Sequence, residues 1–379
     1  MLRLALLCAA AATALRTGIP SRALRPSLLG SARLAAPLCA AERCWRLFGV
    51  EVAPGDRSEL GLDVTDSLRD AVSERLGCAV DPEDVTLVRK SLDCRRRQSR
   101  GRVVCWTYVV DVTVPSSVAK RLKTQPGRQV PASSEQEGSH SIAPAAPRWA
   151  GPAPSVIVVG AGPCGLFAAL TLATAGVHVT IVERGKPVEQ RGRDIGALSA
   201  RSVLNPESNY CYGEGGAGTW SDGKLTTRIG RNSAAVRHVL RTLVRFGAPE
   251  RILLDGKPHL GTDNLVKLLK GFRAELQRLG AAFRWESRVE RLLVDDGDGS
   301  AAPADGHLLS SSRIVRGVQL IGGEQLQADA VVLAMGHSAR ELYAHLHDVG
   351  ATMAPKDFAV GFRVEHPQTT IDAAQAMNA

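Results

Sequence analysis

Apolar positions along the chain change their period several times, and these changes divide it into segments. Residues 45–52 interleave Trp45, Leu47, Phe48, Val50 and Val52 with polar neighbours, as a strand does. Leu68, Val72 and Leu76 recur every four residues, which predicts a helix over 66–76 stopped by Gly77. Residues 85–90 and 103–114 read as further strands, the second alternating around Tyr108, Val110 and Val112, and a helix over 116–122 follows. This order predicts a small ferredoxin-like α+β domain over 44–123. The pattern then fades, and residues 124–154 are dominated by Pro, Ala, Ser, Gly and Gln, as in a flexible linker.

Four β-formers then stand together, Val156-Ile157-Val158-Val159, followed by Gly160-Ala161-Gly162-Pro163-Cys164-Gly165 and a helical run. A second apolar strand, Val179-Thr180-Ile181-Val182, ends on Glu183. Strand, glycine turn, helix, strand and acid in that order read as a dinucleotide-binding unit. The first glycine permits the turn, the second lets backbone approach a diphosphate, and the third lets helix pack closely on strand. N–H groups at the helix start point at the phosphates. The Glu183 carboxylate accepts hydrogen bonds from an adenosine ribose and repels a 2′-phosphate, which favours FAD or NAD over NADP.

Residues 213–223 hold five glycines, with Glu214, Thr219, Trp220 and Ser221 between them, and Lys224 follows. Such a run fits neither a regular helix nor a central strand, but it can wrap a ligand with backbone N–H groups. Amphipathic helices are expected over 235–246 and 262–279, the second capped by Thr262 and stopped at Gly280. The turn between them carries His259. Strands over 282–285, 289–294, 314–321 and 328–334, interrupted by a polar loop at 295–312, predict an antiparallel meander and then a return to the parallel sheet. That last strand runs into Gly336 and His337, at the carboxyl edge where open α/β sheets bind ligands.

Charge and cysteine content alter the picture at a few points. The chain of 379 residues has a net charge of +9, yet residues 1–44 alone hold six Arg against one Glu, so the body is nearly balanced. With aromatics at 4%, neither a basic nor a stacking surface for nucleic acid is expected. The run Arg95-Arg96-Arg97 reads as a solvated hairpin tip. Eight scattered cysteines without zinc-ligand spacing read as reduced thiols, with Cys164 a small packing residue and no metal site. No apolar run has the length of a bilayer-spanning helix, so no stable membrane insertion is expected. Residues 1–43 join a short apolar stretch behind Arg3 to an Arg-, Ser- and Ala-rich stretch with no acid before Glu42. This resembles a bipartite plastid leader, with a mitochondrial presequence and an unaddressed N-terminus as alternatives.

The segments 158–165, 183–185, 208–225, 258–263, 333–340 and 360–368, with Lys90-Ser91-Leu92-Asp93-Cys94-Arg95, resemble the two-dinucleotide-binding-domain flavoproteins of the glutathione-reductase type. More narrowly they resemble a family of FAD-dependent dehydrogenases of bacteria and plastids. The resemblance implies a Rossmann-like α/β domain over 155–345 with a β-meander insertion, and the start of a substrate domain over 346–379. It implies FAD held by Gly160, Gly162, Pro163 and Gly165 at the diphosphate, by Glu183 and Arg184 at the ribose end, by Gly215, Gly216, Gly218, Thr219, Ser221, Gly223 and Lys224 near the flavin, and by Gly336. His259, His337 and Lys224 are the candidate catalytic residues, and the reaction implied is oxidation or reduction of a small molecule, with NAD(P)H as a candidate electron donor. Such flavoproteins continue beyond this length to a ribityl-binding segment, so a C-terminally incomplete chain is expected. A non-catalytic dinucleotide-binding protein or fragment, and an NAD-dependent dehydrogenase, are the alternatives.

Overall fold

The computed structural model describes residues 44–54, 63–93, 96–97, 101–102, 104–132, 152–221, 223–225, 234–296, 313–357, 361 and 364–375. The leader at 1–43, residues 133–151 of the expected linker, Arg95, Arg100, Asp222, the loop at 297–312 and residues 358–360 and 362–363 lie outside the described residues.

The first unit is built from β1 (Cys44–Val52), α1 (Asp66–Leu76), β2 (Val85–Asp93), the short hairpin strands β3 (Arg96–Arg97) and β4 (Gly101–Arg102), β5 (Cys105–Thr113), α2 (Ser116–Ala119) and β6 (Gln129–Pro131). Its main sheet has the order β2-β5-β1-β6 and is antiparallel throughout, which is the ferredoxin-like arrangement. Thr65 caps α1 by accepting from the Leu68 N–H at 3.2 Å, and Gly77 ends it at φ 66°. Leu68, Val72 and Leu76 seal the helix against Leu47, Val110 and Val112 of the sheet. Two boundaries differ from expectation. The second helix stops at Ala119, and the region expected to be linker contributes β6, which pairs with Trp45, Arg46 and Leu47. Three residues at a sheet edge, one of them proline, carry no alternation to read.

The second unit holds β7 (Ser155–Val159), α3 (Pro163–Thr174), β8 (His178–Val182), α4 (Val188–Arg201), α5 (Ala234–Arg245), α6 (Thr262–Arg278), β9 (Ala282–Arg284), β10 (Val289–Asp296), β11 (Arg313–Leu320), β12 (Gln325–Gln327), β13 (Ala330–Leu333), α7 (Arg340–Asp348) and α8 (Gln368–Gln375). A parallel sheet runs β13-β7-β8-β9, and β10-β11-β12 form the antiparallel meander. The apolar run of β7 is unbroken because both its faces are covered. Val156 and Val158 pack toward Phe167 of α3, Val239 of α5 and Phe272 of α6. Ile157 and Val159 pack toward Val289 and Val318 of the meander and Leu342 of α7. The fold is therefore a Rossmann-like α/β unit with a meander insertion. At the start of α6 the N-cap is Gly261, at φ 75°, and no side chain caps the helix, so Thr262 is its first residue instead of its cap. Among the described residues no helix is long and apolar enough to cross a membrane.

The two units touch where β2 meets the segment before α6. The Lys90 N–H donates to the Leu254 carbonyl at 3.0 Å and the Gly256 N–H to the Lys90 carbonyl at 2.7 Å. A Cβ on Gly256 would lie 1.9 Å from Ser91 Oγ, 2.9 Å from Ser91 Cβ and 3.1 Å from the Lys90 carbonyl oxygen, so a side chain there would force Ser91 to shift.

Gly165 fixes the contact between β7 and α3, since a Cβ there would fall 1.8 Å from the Gly160 carbonyl oxygen. Gly165→Ala is expected to destabilise the chain by about 1–3 kcal/mol or more through this overlap. Urea unfolding checks it, with a lowered midpoint and an unchanged slope expected.

Candidate cofactor site

A cleft of about 660 Å³ opens at the carboxyl ends of β7, β8 and β13, within the size range of cofactor sites. One wall is the turn between β7 and α3. Gly160 takes φ 107°, and its missing Cβ would stand 2.5 Å from the Ala334 carbonyl oxygen after β13, so the turn and the last strand approach with no room for a side chain. Gly162 precedes α3 and no side chain caps that helix, so its first-turn N–H donors are left for whatever occupies the cleft. A Cβ on Gly162 would meet only Gly216 Cα, at 3.8 Å.

Glu183 follows β8 and is 5% exposed. Its Oε2 accepts from the Ala161 N–H at 2.8 Å, and its Oε1 accepts from the Gly185 and Gly213 N–H groups at 2.9 Å each. One carboxylate thus ties the turn after β7, the end of β8 and the glycine-rich loop together. A further bond from the Gly215 N–H to the Ala161 carbonyl, at 2.8 Å, fastens the same loop. Arg184 stacks its guanidinium 3.7 Å from the Tyr212 ring centre and pairs with Glu207 at 2.8 Å and with Glu341 at 2.6 Å. The Tyr212 hydroxyl donates to the Ser338 carbonyl at 2.7 Å, completing a bridge from the loop to the segment after β13.

Beneath the loop lies a buried charge network. Arg191 is completely buried, and its guanidinium donates to the carbonyls of Asn209, Tyr210, Gly213 and Glu214 at 2.6–3.3 Å. Burial lowers its pKa to about 10, opposed by the charges of Glu183, Cys211 and Glu214. Glu214 is equally buried; its Oε2 accepts from the Val188 N–H at 2.7 Å and lies 3.2 Å from Arg273. Burial pushes the Glu214 carboxyl up to about 7, against the pull of the Val188 N–H and Arg273.

Of the residues expected at the site, Gly160, Gly162, Pro163, Glu183, Arg184, Gly216, Gly218, Gly336 and His337 line the cleft. Gly165 lies behind the turn, as its packing role requires. Gly215 and Thr219 are inside the loop, where a Cβ on Gly215 would collide with Thr219 Oγ1 at 2.2 Å. Ser221, Gly223, Lys224 and His259 are outside the cleft lining, and an isolated antiparallel bridge sets the exposed Lys224 opposite the exposed His259. Cys164 lines the cleft and packs in the core of the unit, 6% exposed, as the packing role expected of it requires, and Cys44, Cys78, Cys105 and Cys211 carry thiols outside any disulfide. Arg191, Tyr212 and Glu214 were not anticipated. Arg191 had a readable signal, because it shares the buried face of α4 with Val188 and Ile195 at helical spacing.

Residues 154–202 match the family model for an FAD binding domain. An uncharacterized protein of Clostridium beijerinckii is 40% identical over 222 residues, which cover 59% of this chain and 38% of that protein. The chain therefore matches well under half of the relative's length. Among solved structures, that of Thermovibrio ammonificans THI4 aligns at 19% identity with a TM-score of 0.33, covering 53% of this chain and 64% of that one. L-proline dehydrogenase from P. horikoshii aligns at 13% identity with a TM-score of 0.32, covering 52% and 56%. With the glycine turn, the acid after β8 and the carboxyl-edge cleft all inside or beside the matched segment, the chain carries an FAD-binding domain of Rossmann-like fold, and FAD is its cofactor.

Proposed function

We propose that the protein is an FAD-dependent oxidoreductase acting on a small molecule, with a nicotinamide nucleotide as candidate electron donor. The observation that carries this reading is the cleft at the carboxyl edge of the parallel sheet, walled by a bare-backbone turn, an uncapped helix N-terminus and a buried carboxylate. These donors and this acceptor suit a diphosphate and a ribose, in that order along the cleft. In this reading Gly160 and Gly162 admit the diphosphate, and the first turn of α3 donates to it. Glu183 Oε2 accepts one protein N–H, so lone-pair capacity remains on that oxygen for a ribose hydroxyl. The Arg184–Tyr212 stack walls the cleft beside Glu183, while Gly216, Gly218, Gly336 and His337 shape the rest of it. Bound FAD supplies the hydride and electron chemistry, and the chain supplies binding, orientation and exclusion of solvent. His337 is the catalytic candidate best placed to meet a substrate, because it alone of His259, His337 and Lys224 lines the cleft.

The full chain, purified, is expected to be yellow with a flavin spectrum that bleaches when NADH or NADPH is added without oxygen. Protein that binds FAD but is bleached by neither nucleotide, and by no small-molecule reductant tried, contradicts the oxidoreductase reading. Gly162→Val is expected to leave the free energy of urea unfolding within about 1 kcal/mol of wild type, because the nearest atom to its Cβ is 3.8 Å away, and yet to abolish FAD retention. Full flavin occupancy in that variant contradicts the diphosphate placement.

We further propose that residues 1–43 are an organellar address, a plastid leader before a mitochondrial one, supported by their arginines, serines and near absence of acids. A fluorescent fusion to residues 1–43 is expected to enter plastids. A diffuse signal through the cell contradicts the reading.

A further inference from the structure

The glycine-rich loop is held down from inside by one acid that the chemistry proposed above does not use. Glu214 anchors the loop through three groups. Its backbone N–H donates to the Lys186 carbonyl at 3.1 Å, its carbonyl accepts from Arg191 at 2.6 Å, and its carboxyl accepts from the Val188 N–H at the start of α4. Its neighbours Gly213 and Gly216 line the cofactor cleft. The other carboxyl oxygen, Oε1, is buried with no hydrogen-bond partner among the described residues.

We propose that Glu214 is the positioning residue of the cofactor loop, its carboxyl holding residues 213–219 against α4 when protonated and loosening them when ionised. That the loop serves FAD rests on the function proposed above; the latch itself does not.

The charges around the carboxyl decide its sign. From α6, Arg273 lies 3.2 Å from Oε2 and favours the ionised form, but it is shared with Glu189 of α4, which Lys270 also approaches at 3.9 Å. From α4, Arg191 spends its donors on backbone carbonyls, and from the end of β8 the Glu183 carboxylate adds negative charge. Lys186 turns its ammonium to Asp194 at 3.1 Å. An ionised Glu214 therefore keeps one charged oxygen buried and unpaired, which opening of the loop to water relieves. A carboxyl that is harder to ionise in the closed loop than in the open one stabilises closure fully at low pH, below its value in the open state. That stabilisation falls as pH rises toward 7 and is flat above it.

Amide hydrogen exchange on the full chain without FAD tests this directly, with rates corrected for intrinsic pH dependence. Protection of Gly213, Glu214, Gly215 and Gly216 is expected to fall by up to tenfold per pH unit between about pH 5 and 7, then level off. Glu214→Gln keeps an oxygen for the Val188 N–H but carries no charge, and its protection is expected to be flat across this range. Arg273→Gln, a second variant should the first misfold, is expected to extend the fall to higher pH. Titration of each protein with FAD is expected to show the same pH dependence in affinity. Wild-type protection independent of pH, or a fall retained in Glu214→Gln, overturns the latch. A pH-dependent loop in a chain that binds no FAD leaves the latch standing and overturns the function it was read to serve.

Discussion

The structure depends on a single carboxylate placed where three stretches of chain meet. Glu183 gathers N–H groups from the turn after β7, from the end of β8 and from the glycine-rich loop thirty residues further on. Charged hydrogen bonds to backbone are stronger than neutral ones, and here they compensate the cost of burying the charge. The residue type follows from this geometry. A carboxylate only accepts, so it can face several N–H groups at once, whereas an amide would turn a donor toward one of them. Close backbone approach is the other half of the arrangement: a Cβ on Gly185 would stand 2.6 Å from Gly213.

A loop of this composition has little intrinsic shape, because glycine gives up much conformational freedom on folding. Arg191 supplies the shape. Five donors in a rigid fork, buried below the loop, collect carbonyls that a loop would otherwise direct to water. Leaving those carbonyls unpaired in the interior would cost more than burying the guanidinium among them. The face of the loop that is left bare is the one turned to the cleft, where Gly216 and Gly218 contribute backbone without side-chain bulk. Rigid underside and open upper side are the two requirements for a surface that follows a cofactor closely.

Much of this was legible in the sequence. The dinucleotide unit could be read because β7 is four β-formers in a row and its turn begins on a glycine with positive φ. The ferredoxin-like unit could be read from one helix periodicity and from strands long enough to alternate. Both β6 and β12 escaped, being three residues each with no run of apolar β-formers, one of them ending on proline. The site was legible on its local side and hidden on its tertiary side. Spacing alone associates Glu183 with a ribose, but the two N–H donors it takes from Ala161 and Gly213 come from segments that only the fold brings near. Lys224 and His259 are set opposite each other by a bridge that no local pattern announces.

A crystal structure of the chain grown with FAD tests the central claim most directly. The account predicts the diphosphate within hydrogen-bond reach of the first turn of α3, the adenosine ribose beside Glu183, and the Ala161 and Gly213 N–H groups still donating to that carboxylate. Density for the cofactor elsewhere, or a Gly213 segment lying away from Glu183 with FAD bound, would contradict it.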